Sequence, residues 1–415
     1  MGMGPARELA TKLFHAAIDR ADPYAAVKGQ LARENRDVVG RNIVIAIGKA
    51  AIPMMRAALE TVPEPRTALV VTNPENICDI PGVTVLAGAH PVPDESSQAA
   101  GRAIVDLLSK AGPDDHVTAL ISGGGSALAV APVTGVSLQN KADINAALLA
   151  GGIEINEMNL VRQQLSDLKG GGFLRHASPA KVTAYLLSDV IGDDMRAIAS
   201  GPTVAPIGTR ADAVKTLKDH GIWDQVPVSV QKHLSKPNTP TTHLAATNTI
   251  VGSNRLSLEA MLAAVPEDWN ATIATDTLVG DVGDAAEFVL NAGHTAPPGP
   301  QVLIFGGETT VKLGGTGRGG RNQELALRVA LGADGRLRDG WTFLSGGTDG
   351  RDGPTDAAGG LVDANTMGRM QTNGADPQAL LQNNDSYAAL SASGDLLVIG
   401  GTGTNVADVQ VLILP

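Results

Sequence analysis

Apolar positions along the chain follow two alternating patterns. Residues 42–47 (Asn-Ile-Val-Ile-Ala-Ile), 67–72, 84–87, 117–121 and 182–187 are short, β-branched runs of the kind a parallel sheet buries on both faces. Between them, 6–20, 50–59 and 156–169 carry apolar residues at helical spacing, and Asp94-Glu95-Ser96-Ser97 caps a further helix expected to reach about Lys110. This βαβα rhythm predicts a doubly wound, Rossmann-like α/β domain. Ser235-Lys-Pro-Asn-Thr-Pro-Thr-Thr242 then reads as a linker. Beyond it, strands are expected near 249–251, 271–275, 302–305, 309–313, 341–344 and 396–399, with helices near 255–264, 284–291 and 322–332. Two α/β domains follow, 1–236 and 243–415, flanking a cleft where ligands commonly bind. The last strand, about 409–414, could pair with either domain.

Composition narrows the class. The 415 residues are 43% hydrophobic and 18% charged, a globular balance, but aromatics are only 3%, so the core must be aliphatic. Glycine, at 49 residues, well exceeds its usual ~7% without a collagen-like period, which points to tight turns and loops that approach ligands. A single cysteine, Cys78, excludes a disulfide scaffold and suits a reducing compartment. The net charge of −11 gives no bulk attraction for nucleic acid or anionic membrane. With no apolar stretch of membrane-spanning length and no signal-like start, a cytoplasmic protein is expected.

Several segments carry candidate chemistry. Ser122-Gly123-Gly124-Gly125-Ser126 follows a strand and precedes an apolar segment; three glycines allow successive N–H groups to face one phosphate or carboxylate, or simply allow a turn. No Gly-x-x-x-x-Gly-Lys-Ser/Thr loop occurs. Lys49, just past the carboxyl end of the 42–47 strand, is either an anion-neutralising group or a solvated lysine. Asp189 lies at a similar strand end, where a carboxylate can accept a proton or hold magnesium, whereas Asp193 and Asp194 read as caps of a helix beginning near Met195. On the expected 156–169 helix, Asn159, Arg162, Ser166 and Lys169 share one face, either substrate-facing or solvated.

Gly315, Gly317 and Gly320 fit the spacing of a dinucleotide fingerprint, but neither Asp339 nor Asp349 lies where the required acid should be. A glycine loop carrying Arg318 and Arg321 suits anion clamping better. Asp349, Asp352 and Asp356 crowd three carboxylates into eight residues, similar to a calcium loop but without the Glu twelve positions on, so the segment is a candidate metal locus or a set of turns, and the eight histidines form no zinc pattern.

Together these segments resemble the class II glycerate kinases, whose carboxyl-terminal portion is the MOFRL domain. The matching stretches are Ala46-Ile-Gly-Lys49, Gly88-Ala-His90-Pro-Val-Pro-Asp94, Ser122-Gly-Gly-Gly-Ser126, Asn159-Leu-Val-Arg162 through Lys169-Gly-Gly, Ser188-Asp189-Val-Ile-Gly and Ser200-Gly-Pro-Thr203. Gly306-Gly-Glu308, Gly319-Gly-Arg321-Asn322-Gln-Glu324, Thr348-Asp349-Gly-Arg-Asp352 and Gly403-Thr-Asn405 continue the series in the family's order over nearly the whole chain. The resemblance implies transfer of phosphate from ATP, with Mg2+, to the 2-hydroxyl of D-glycerate. It implies Lys49, Asp189 and Arg321 as catalytic residues, with Ser122–Ser126, Arg162, Lys169, Arg318, Asn322 and Glu308 on phosphate or substrate, and Asp349 and Asp352 on the metal. The partners expected are small molecules alone, in a monomer or homo-oligomer. Gly170-Gly-Gly-Phe173 and Gly400-Gly-Thr402 depart from the family's usual sequence. The rival readings are a nicotinamide-dependent hydroxypyruvate reductase and a non-catalytic small-anion binder.

Overall fold

The computed structural model describes residues 4–34, 38–237 and 245–415, so the later part of the expected 235–242 linker lies outside the described residues. Compactness divides the chain into two units.

The first unit comprises residues 23–188 and 193–251. Its sheet contains β1 (Asn42–Ile47), β2 (Arg66–Thr72), β3 (Val83–Ala87), β4 (His116–Ile121), β5 (Lys181–Leu187) and β6 (Thr247–Gly252), in the order β3-β2-β1-β4-β5-β6. The first five strands are parallel, with Ile45 opposite Leu69 on one side and Ala119 on the other. Ile43, Val44, Ile45 and Ala46 are fully buried, as strands covered on both faces require. Helix Glu95–Leu108 starts where expected: the Asp94 carboxylate accepts the Ser96 and Ser97 N–H groups in a capping box. The strand order reverses between β1 and β4, opening a crevice at their carboxyl ends. Helices Leu138–Ala150, Ile155–Gln164, Arg210–Asp219 and Val228–Leu234 share a separate apolar cluster around Leu148, Val161, Leu217 and Val230.

The second unit contains the chain through Asp22, residues 189–192 and 252–415. Its main sheet is built from β7 (Asn270–Thr275), β9 (Gln301–Gly307), β11 (Thr342–Gly347), β12 (Gly359–Asp363), β13 (Leu396–Leu397) and β14 (Asp408–Leu414), while β8 (Gly280–Asp281) pairs only with β10 (Thr309–Thr310). The order is β13-β12-β11-β14-β9-β7. The last strand, β14, therefore runs through the middle of this sheet, antiparallel to both β9 and β11 and buried at every position. One face packs helices Val282–His294 and Arg321–Gly332 through Val289, Leu325 and Val329 against Phe305, Phe343 and Leu412.

The opposite face corrects the expected division at 1–236 and 243–415. Helix Pro5–Arg20 does not join the first sheet; its Leu13, Phe14 and Ala17 pack with Leu258, Ile304 and Val411 of the second unit. The Ser257 hydroxyl donates to the Ala17 carbonyl (2.8 Å), and Arg7 pairs with Asp363 and Asp395. Conversely, β6, beyond the expected linker, completes the first sheet beside β5. Helix Ile155–Gln164 also ends before residue 169, because the Ser166 hydroxyl accepts the Leu168 and Lys169 N–H groups (3.2 Å each) and turns the chain. No α-helix begins at Met195; the Asp194 carboxylate takes the Arg196 N–H and guanidinium, ahead of a 3₁₀ turn at Ile198–Ser200. The strand expected at 309–313 is only Thr309–Thr310.

Candidate active site

At the β1–β4 crevice, Gly48 makes the close approach possible. It has φ +124°, and a Cβ there would stand 2.2 Å from Ser122 Oγ. Ser122 is buried and its hydroxyl is committed: it accepts the Ala50 N–H (3.1 Å) and donates to the Ile47 carbonyl (3.4 Å). Ser122 thus clamps the β1 turn, and its hydroxyl is engaged within the chain where its motif suggested a phosphate contact. The clamp fixes Lys49, whose N–H donates to the Gly123 carbonyl (2.9 Å) and whose own carbonyl accepts from Asn76 (2.9 Å). The Lys49 side chain is exposed at this edge. Gly124, with φ +81°, is approached by both the Lys49 chain and the His90 ring, each about 3.3 Å from where a Cβ would sit. Among the described residues no backbone acceptor takes the Gly123 or Gly124 N–H, whereas Gly125 donates to Ser122.

Ser126 belongs to a separate chain of contacts. Its hydroxyl accepts from Lys169 Nζ (2.7 Å) and meets Ser200 Oγ (3.0 Å). Lys169 is 7% exposed, and burial, followed by the charges of Lys141 and Arg162, holds its ammonium well below the ordinary lysine range. Arg162 donates through Nε to Asn145 Oδ1 (2.8 Å). The structure therefore brings Lys49, the Gly123–Ser126 turn, Arg162 and Lys169 to one side of the first unit. The expected helical stripe does not form one face, since the helix ends at Gln164 and leaves Ser166 and Lys169 beyond it.

In the second unit, Arg321 begins helix Arg321–Gly332 and forks Asp408 through Nε (2.5 Å) and a terminal nitrogen (3.0 Å), with its other terminal nitrogen 2.8 Å from Glu308. Burial opposes its charge most strongly, but the Asp408 bond together with the charges of Asp408, Glu308 and Asp352 outweighs it and raises the guanidinium further above its ordinary value. Glu308 and Arg321 line a cavity of about 700 Å³. Burial pushes the Glu308 carboxyl up; Asp408, Asp189 and Asp349 add to the rise and Arg321 opposes it. Burial likewise raises Asp349.

The expected metal role of Asp352 is not supported by its surroundings. Its carboxylate is buried and accepts the N–H groups of Asn322 (3.1 Å) and Gln323 (2.8 Å), capping the helix. Burial pushes it up to about 6 despite those donors. Asn322 is also structural, receiving the Ser345 hydroxyl at 2.6 Å. Arg318 stacks on Tyr387 (4.3 Å) and lies 3.7 Å from Asp356, so it does not accompany Arg321. The glycine stretch leading into Arg318 spends its N–H groups internally: Gly314 and Gly315 donate to Asn384 Oδ1, Thr316 to Asn383 Oδ1, Gly317 to the Asn383 carbonyl and Arg318 to Asp385. Those five amides are therefore not free to receive a nucleotide pyrophosphate or another anion.

Sequence reasoning missed Lys141, Asn145 and Asp408. Lys141 and Asn145 lie one turn apart on an ordinary-looking polar helix, and Asp408 precedes an apolar run, so none carried a local signal.

Comparisons agree with this architecture. A family model described as a domain of unknown function, DUF4147, matches residues 9–235, and the MOFRL family model matches 301–408. The chain is 40% identical to the D-glycerate 2-kinase of Thermotoga maritima over 98% of this chain and 97% of that protein. It is also 40% identical to an Agrobacterium vitis protein provisionally named a hydroxypyruvate reductase, over 99% of this chain and 94% of that one. The crystal structure of glycerate kinase from Thermotoga maritima matches with a TM-score of 0.92 at 38% identity, covering 99% of each chain. The chain belongs to the class II glycerate kinase (glycerate 2-kinase) family, with its MOFRL domain at the carboxyl-terminal side.

Proposed function

We propose that the protein is a cytoplasmic D-glycerate 2-kinase that transfers the γ-phosphoryl group of ATP to the 2-hydroxyl of D-glycerate, giving 2-phosphoglycerate and ADP. The observation that carries this reading is Lys49, held by the Gly48–Ser122 clamp beside a glycine turn at the reversal point of a parallel sheet. In the transfer, the hydroxyl oxygen bonds to the γ-phosphorus, the bond to the bridging oxygen breaks, and ADP leaves with that electron pair. Lys49 and Arg321 stabilise the charge on the transferring group, and Asp189 accepts the hydroxyl proton.

ATP chemistry implies magnesium. Among the described residues no three His, Cys, Asp or Glu side chains are grouped to hold a metal. A nucleotide-bound magnesium needs only one or two carboxylates beside phosphate oxygens. Glu308 and Asp349 fit that requirement, because burial and the neighbouring Asp408 raise both and a divalent cation would relieve the crowding. When bound, the ion would neutralise phosphate charge.

The reductase alternative is disfavoured by the 314–318 stretch, whose amides are engaged by Asn383, Asn384 and Asp385. One experiment decides among the readings: ADP release with D-glycerate and ATP, run beside NADH oxidation with hydroxypyruvate. ADP release alone supports the kinase, NADH oxidation alone the reductase, and neither the anion binder.

A further inference from the structure

A cavity of about 470 Å³ in the first unit has one apolar wall and one cationic end. Leu138, Ala142 and Leu149 form part of the wall, and Lys141, Arg162 and Lys169 supply the charge. Among the described residues no Asp or Glu lines it. Each of the three cations donates to a neutral oxygen: Lys141 to the Leu165 carbonyl (3.2 Å), Arg162 to Asn145 and Lys169 to Ser126. The nearby carboxylate, Asp167, is bonded to Arg102 (3.1 Å). Lys169 is buried and Lys141 and Arg162 are half-buried; withdrawing cations from water without counter-ions is costly, and a bound anion that restores neutrality offsets that cost.

The geometry points to this cavity as the seat of the substrate's carboxylate: we propose that Lys141, with Arg162 and Lys169, is the specificity-determining cation for a small 2-hydroxy acid, with the acid's carbon skeleton against the apolar wall. The proposal rests on the kinase reading for the identity of that acid. The alternative occupant, a nucleoside triphosphate, arrives with a divalent cation, and no described carboxylate lines the cavity to complete that ion's coordination. A small hydroxy acid needs no such ion. Its charge is met by the lysines and by the one guanidinium nitrogen, Nη1, not engaged with Asn145.

The test is titration calorimetry of D-glycerate without nucleotide, on the full chain and on Lys141→Met and Lys141→Arg, followed by KM and kcat for each. Loss of one charge-assisted bond predicts a Kd and KM for D-glycerate weaker by about 10- to 100-fold in Lys141→Met, with a smaller change in kcat and partial rescue in Lys141→Arg. D-Glycerate methyl ester should bind the unaltered protein as poorly as the acid binds Lys141→Met. A Kd and KM within twofold of the unaltered protein, an ester bound as tightly as the acid, or a loss confined to MgATP binding overturns the proposal. If Lys141→Met does not fold, the ester and Lys141→Arg arms still decide. Lys141-dependent glycerate binding without phosphoryl transfer would reject the kinase reading and keep the cavity's role. Normal turnover with Lys141-independent KM would do the opposite.

Discussion

Gly48 and Ser122 meet so closely across β1 and β4 that the whole turn bearing Lys49 depends on the missing Cβ. Gly48→Ala would force a left-handed φ of +124° onto an L side chain and drive a methyl group to 2.2 Å from Ser122 Oγ. Backbone strain and overpacking each cost about 1–3 kcal/mol. A destabilisation of at least about 2 kcal/mol is expected by urea unfolding, with loss of turnover even where the variant is folded. Unaltered stability would show that the strands can separate without penalty.

Lys49 itself makes a different prediction. Its backbone is held by Gly123 and Asn76, while its side chain is exposed at the crevice, so Lys49→Ala should leave the fold intact. By analogy with loss of one charge-stabilising donor, kcat should fall by roughly 10²–10³. Steady-state kinetics reads this directly, and an unchanged kcat with raised KM would make Lys49 a binding residue only.

Asp352 should behave as a helix cap. Replacing it with Ala removes the acceptor for the Asn322 and Gln323 N–H groups, and loss of a cap costs about 0.5–2 kcal/mol. Denaturant melts should show that loss, while the magnesium concentration giving half-maximal turnover stays within twofold. A large rise in that concentration would return Asp352 to the metal.

The contrast between Lys49 and Asp352 illustrates what the amino-acid pattern could disclose. Runs such as Ile43–Ile47 must be buried on both faces wherever they occur, so β1, β4 and β5 and the residues at their ends were readable. Helix Pro5–Arg20 advertised an apolar face through Leu13 and Phe14 but not the sheet that would cover it, some 250 residues or more later. The Gly314–Gly320 spacing is the same whether its amides face a phosphate or, as those of 314–318 do here, are taken up by Asn383, Asn384 and Asp385. Ser166 likewise ended a helix through a side-chain bond that competes locally with the helical pattern. Partnerships set by tertiary contact were the ones sequence left open.

Asp189 sits at the end of β5, and its negative charge helps to raise Glu308. As the proposed proton acceptor, Asp189→Asn keeps the volume and removes the basicity. General base catalysis is typically worth ~10²–10⁴, so kcat should fall by that amount while nucleotide affinity survives. Near-normal kcat at neutral pH would exclude the role, and loss of magnesium–nucleotide binding instead would identify Asp189 as a metal ligand.

Lys141 predicts opposite pH trends for stability and binding. Burial, reinforced by Arg162 and opposed by Asp167, lowers its ammonium to about 8, with Lys169 on the same cavity. An anion favours the protonated form, so D-glycerate affinity should be greatest below pH 8 and fall as pH rises through it, by at most tenfold per unit. For the ligand-free fold the sign reverses. The unfolded chain, with lysine near 10.5, holds more protons than the folded one between pH 8 and 10.5, so Lys141 destabilises the fold fully below pH 8 and that penalty fades as pH rises across the window. Measuring Kd and unfolding free energy at pH 7 and 9.5 and subtracting the same values for Lys141→Met isolates both trends from other titrating groups. If affinity and stability shift in the same direction after that subtraction, the lysine is not carrying its charge into the cavity.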